Sequence, residues 1–167
     1  DSSSSRGLGD VYKRQVTIGG AATEIVFALG AGSSVVATDL SSIYPPQARE
    51  LPMVGYVRNI SPEGVLSMEP DLVIATGALG PPTARHMLER LDIDIIWLPK
   101  LSTPEELQSS INTVSARLSR IEAAEALIEG VNRDLAQAAK NSSNWAKDTP
   151  TVLFLLEPPG KSTSGMG

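Results

Sequence analysis

Tyr56 and Arg58 stand two residues apart in the run GYVRNISPEGVLSMEPDLVIAT, residues 55–76. An extended segment points residues i and i+2 to the same side, so the spacing predicts a phenol and a guanidinium facing one cleft together. That pair suits ferric iron, with the phenol oxygen as ligand. A free phenol titrates at about 10. A bound ferric ion and a neighbouring guanidinium both favour its ionised form. The plainer alternative is a tyrosine that packs its ring and hydrogen-bonds its hydroxyl within the protein.

The remaining chemistry-bearing residues point less sharply. His86 is the only histidine; with Arg85, Glu89 and Arg90 around it in a helical stretch it reads as a surface residue rather than a metal ligand. Gly19-Gly20 could cradle an anion at a helix start, but no GxGxxG or P-loop pattern surrounds it, and a tight turn needing small residues explains it as well. No GxSxG elbow occurs, so a serine-type triad is not expected, and nothing singles out a pair of carboxylates. Glu63 falls in the first turn of a helix. It reads either as a carboxylate favoured by the helix dipole or as an exposed acid that docks on a basic partner.

These residues need a frame. Val16 to Ile18 reads as a strand, Gly19-Gly20 as a turn, and Ala21 to Leu29 as a helix with Ile25, Val26 and Leu29 inward and Gly30 and Gly32 ending it. Val35 to Thr38 is a second strand and 39–44 a loop. Pro45-Pro46 opens a helical turn. Ser61 caps a helix with Pro62 at its first position. Strands are expected at Asp71 to Ala75 and Ile93 to Leu98, with a helix over Pro82 to Leu91 between them. Thr103-Pro104-Glu105-Glu106 is a capping box for a helix reaching about Leu118. A longer helix, Ile121 to Lys140, carries Ala124, Leu127, Ile128, Val131, Leu135 and Ala138 at helical spacing.

Alternation of apolar strands with helices predicts the α/β class: a mostly parallel sheet covered on both faces, a Rossmann-like lobe. Sites in such sheets lie at the carboxyl ends of the strands, here Gly19-Gly20, 39–42, 77–81 and 99–102. The expected division is an N-terminal α/β ligand-binding lobe over 16–102, a helix pair over 103–145 that includes a connector helix, and the start of a second, truncated α/β lobe over 146–167. Net charge is -5 over 167 residues, without a basic stripe, which argues against nucleic acid. No cysteine is present, excluding disulfides and thiolate metal sites, and no apolar run is long enough to cross a membrane.

Both ends read as foreign or incomplete. The stretch DVYKRQ, Asp10 to Gln15, is what translation of a common transposon-end sequencing adapter yields, so residues 1–15 are read as an artefactual leader. Any signal peptide would have been lost with the native start. At the other end a new strand, Thr151 to Leu156, has only begun when the chain stops, which suggests a truncated lobe.

From Val16 onward the sequence resembles the periplasmic substrate-binding proteins of haem-uptake ABC transporters. They belong to a class that also carries vitamin B12 and iron–siderophores. The segments that carry the resemblance are VTIGGAATEIVFALGAG, SSIYPPQARELPMVGYVRN, ISPEGVLSMEPDLVIAT and the helix pair before TVLFLL. It covers nearly all of residues 16–167, the first half of such a protein. In haem-binding members the tyrosine of a Gly-Tyr-x-Arg motif is an axial ligand to haem iron, consistent with tyrosine as a haem ligand type. The resemblance therefore implies Tyr56 as the iron ligand, with Arg58 beside the ligand oxygen or the porphyrin edge. It further implies that Glu63 docks on arginines of the permease, and with such a cargo the loops at the strand ends, including Gly20, Ala21, Ala78 and Leu79, are expected to supply small and apolar contacts to the porphyrin face. The expected partners are haem, as transported cargo, and an inner-membrane permease, with the protein a monomer and no nucleic acid involved. The expected place is the periplasm, or a lipid anchor on the extracytoplasmic side. Cobalamin or a ferric siderophore is the alternative cargo. An α/β nucleotide-binding enzyme is the reading that the missing motifs disfavour.

Overall fold

The computed structural model describes residues 14–143; residues 1–13 of the expected leader, the strand expected at Thr151 to Leu156 and the beginning of a second lobe lie outside them, while the last two leader residues, Arg14 and Gln15, fall within. Four parallel strands form the main sheet in the order β2-β1-β5-β6: β1 (Gln15–Ile18), β2 (Val35–Ala37), β5 (Leu72–Thr76) and β6 (Asp94–Leu98). A separate two-stranded hairpin, β3 (Gly55–Tyr56) with β4 (Asn59–Ile60), lies between β2 and β5 in the chain. The helices are α1 (Gly20–Ala28), α2 (Pro62–Leu66), α3 (Pro82–Glu89), α4 (Pro104–Leu118) and α5 (Ile121–Ser143).

The β5 sequence, LVIAT, is buried at every position, so both faces of the sheet are covered. Alternate residues divide between two apolar layers, as strand geometry requires. Leu72 and Ile74 join Ile25 and Val26 of α1, Leu29 just past its end, Ile111 and Val114 of α4, and Ala124 of α5. Val73 and Ala75 join Val16, Ile18, the hairpin residues Val57 and Ile60, Val65 of α2 and Leu88 of α3. The α/β architecture expected from the strand–helix alternation is the one observed.

Local signals set the element ends. The Ser61 hydroxyl accepts from the Gly64 N–H at 3.0 Å, and Thr103 Oγ1 accepts from the Glu106 N–H at 3.2 Å. The Glu106 carboxylate reaches back to the N–H of Ser102, at 2.6 Å, one residue before the cap. Two boundaries differ from expectation. β1 begins at Gln15, whose backbone pairs beside Val35 and Leu72, because ladder pairing depends on the main chain and not on the side chain. The apolar stripe of α5 is buried only at its start: Ala124 is buried, whereas Leu135 is 44% exposed. The described residues up to Val131 form one compact unit, and α5 from Asn132 onward falls in a second.

Candidate functional site

The hairpin begins at Gly55, whose φ of +119° and whose close approach to the Asn59 carbonyl both exclude a side chain (a Cβ would lie 2.9 Å from that oxygen). Gly55 faces Ile60 and Tyr56 faces Asn59, which leaves Val57 and Arg58 as the two turn residues. The expectation that Tyr56 and Arg58 lie on one side of an extended strand is therefore corrected. The chain reverses between them, and strand alternation does not apply across a two-residue turn. The reversal is held from outside the hairpin. Gly80 N–H donates to the Val57 carbonyl at 2.8 Å, and Ile60 N–H donates to the Gly80 carbonyl at 3.0 Å. Val57 turns inward to 9% exposure, Tyr56 stays 44% exposed, and Arg58 is exposed. Among the described residues neither the Tyr56 hydroxyl nor the Arg58 guanidinium has a partner. The packed, internally bonded tyrosine is thus not what the fold contains.

A residue that sequence reasoning passed over organises this edge. Asp39, just after β2, is fully buried. Its Oδ1 accepts from the Gly19 N–H and the Ser42 hydroxyl, each at 2.7 Å. Its Oδ2 accepts from the Ser41 N–H at 3.0 Å, the Ser41 hydroxyl at 2.6 Å and the Val57 N–H at 3.1 Å. Ser42 continues the chain inward through Thr23 at 2.7 Å to Thr17 at 2.8 Å. The available signal was the run Asp39-Leu40-Ser41-Ser42 at a strand end, since an aspartate commonly accepts from the backbone two residues on.

These bonds place the hairpin over the carboxyl edge of the sheet. Leu40 N–H donates to Gly55 O at 2.8 Å, tying the hairpin to the end of β2, while Gly80 ties it to the loop after β5. With β1 lying between β2 and β5, the hairpin straddles the end of β1. The chain leaves β1 toward β2 on one side and later fills β5 on the other, so this is a topological switch point, where ligands bind in open α/β sheets. Gly19 sits in its floor with φ +97°; a Cβ there would meet Thr76 Oγ1 at 2.6 Å.

The other expected site residues divide. Gly20 and Ala21 are half-buried at the start of α1, Gly20 directly under the Ser41 carbonyl. Ala78 is exposed, but Leu79, 8% exposed, belongs to the apolar layer beneath the hairpin. Glu63 is exposed in the first turn of α2, where the Ser61 hydroxyl donates to it at 3.2 Å. It lines a groove of about 230 Å³ between α2 and α3 with Leu66, Met87 and Arg90. His86 is a surface residue, 3.5 Å from Glu89. A hydrogen bond from Arg85 holds the Glu89 carboxyl below its usual range, against an opposing desolvation. Arg85 also lies over the Trp97 ring, 4.2 Å from its centroid.

The comparisons fit this architecture. A family described as "Periplasmic binding protein" matches residues 16–167. The chain is similar to a periplasmic heme binding protein from Pseudomonas aeruginosa, with 31% identity, a TM-score of 0.77, and coverage of 83% of this chain and 50% of that one. It is also similar to the periplasmic vitamin B12 binding protein BtuF of Vibrio cholerae, with 29% identity, a TM-score of 0.71, and coverage of 80% and 52%. A curated vitamin B12-binding protein of Vibrio cholerae serotype O1 is 36% identical over 103 residues, 62% of this chain and 37% of that protein. The chain thus spans about half the length of these solved structures and less of that curated relative. The strand order, the two covered faces and the family match agree: the chain belongs to the periplasmic binding protein family.

Proposed function

We propose that the chain is the N-terminal lobe of a substrate-binding protein that captures haem outside the inner membrane and delivers it to an ABC permease. The observation that carries the proposal is the exposed Tyr56 phenol, unpartnered among the described residues, on a hairpin pinned over the switch point with the exposed Arg58 in its turn. Iron already held by a macrocycle presents only axial positions, so a single phenolate suffices. A bare ferric ion would call for more ligands, and among the described residues no group of three or more His, Asp or Glu is gathered. Arg58, exposed in the turn that follows Tyr56, offers donors to a propionate. Gly20, Ala21 and Ala78 add small contacts at the rim, and Leu79 supports the hairpin from below. The protein acts by binding, not catalysis, as a monomer and without nucleic acid. It works in the periplasm or from a lipid anchor on its extracytoplasmic side. Glu63 and the apolar groove beside it form the face that meets the permease.

Titration of the native full-length product with ferric haem tests this reading. The expected result is a ferric tyrosinate spectrum that Tyr56→Ala abolishes. An unaltered spectrum and affinity in Tyr56→Ala would overturn it. Cobalamin is the second reading, favoured by the similarity to vitamin B12-binding proteins. Competition between haem and cyanocobalamin separates the two, since haem cargo requires that cobalamin fail to displace it.

A further inference from the structure

We propose that Asp39 is the positioning residue of the ligand-bearing hairpin, fixing Tyr56 through the peptide unit that joins it to Val57. The proposal rests on the reading of Tyr56 as ligand. Asp39 is fully buried, yet among the described residues no cation pairs with it. A buried charge without a counter-ion is costly unless dipoles surround it. Here five donors do so, from the end of β1, from the turn after β2 and from the hairpin tip. Both carboxyl oxygens act as acceptors toward them. The donor from the tip is the Val57 N–H, on the peptide that follows Tyr56. The Val57 carbonyl is held from the other side by Gly80. Tyr56 is thus set by two anchors that leave its own side chain free.

An asparagine at position 39 keeps the volume but replaces one acceptor oxygen by a donor. Its amide then opposes either Gly19 N–H or Val57 N–H, whichever way it turns. In the ligand-free chain, amide hydrogen exchange at Val57 and Gly19 should quicken by about tenfold at one or both sites in Asp39→Asn. In the native full-length product, ferric haem affinity should fall by about tenfold, a loss of about 1.4 kcal/mol, and the ferric spectrum should broaden. Ile74→Val, a core change that removes none of the Asp39 hydrogen bonds, should lower stability without moving either readout. Should Asp39→Asn fail to fold, Val57→Pro removes the same hydrogen bond from the hairpin side and is expected to weaken haem equally. Wild-type exchange at both amides, or a haem affinity no lower than that of Ile74→Val, overturns the proposal. If Tyr56→Ala leaves affinity unchanged, the ligand reading falls and takes this proposal with it. A Tyr56-dependent affinity indifferent to Asp39→Asn removes this proposal alone.

Discussion

The hydroxyl of Tyr56 and the guanidinium of Arg58 satisfy nothing among the described residues, so the fold has little to lose from their removal. Tyr56→Ala and Arg58→Ala are each expected to change unfolding free energy in urea by no more than about 0.5 kcal/mol, as surface substitutions do. On the proposed reading, haem affinity should drop sharply in the first and by a smaller factor in the second, because the phenolate would bond the iron while the guanidinium only offers hydrogen bonds to a propionate. A large stability loss in Tyr56→Ala would show instead that the ring is part of the core. At this scale the sequence disclosed the residue types but not their arrangement. Tyrosine and arginine at this spacing pointed to a metal-binding pair. The turn between them is imposed by Asp39 and Gly80, 18 residues before and 23 after Val57, and no local pattern encodes a bond across such distances. Asp39 itself looked like any loop aspartate, because burial is a property of the folded chain.

The elements were legible wherever their signals are local. The Ser61-Pro62 start, the Thr103 cap and the apolar run of β5 all formed where propensity and capping chemistry place them. Ser61→Ala should cost about 1 kcal/mol in chemical denaturation, since it leaves the Gly64 N–H without its acceptor. Gly19→Ala should cost more, of order 1–3 kcal/mol. It forces an alanine into φ +97° and drives a methyl group against the Thr76 side chain. A neutral Gly19→Ala would mean that β1 and β5 end further apart than described. The hairpin was the element least readable in advance: strands of two residues carry no periodicity, and its pairing depends on neighbours from β2 and the loop after β5.

In the whole lobe, apolar layers on both faces of one sheet carry the stability. Ile74→Ala should cost about 2–5 kcal/mol by leaving a cavity in the layer between the sheet, α1 and α4. Glu63→Arg tests the docking face: haem uptake by cells carrying the full-length product should fall while haem affinity stays unchanged, and a loss of affinity would place Glu63 in the ligand cleft instead. The division of the hairpin into an inward Val57 and outward Tyr56 and Arg58 has a consequence for how such a lobe changes over generations. The interior residue and its acidic anchor carry the architecture, and on the proposed reading the two outward residues carry the cargo preference. Mutation can therefore rewrite what the tip grasps, from an iron porphyrin to another bulky chelate, without renegotiating the scaffold underneath.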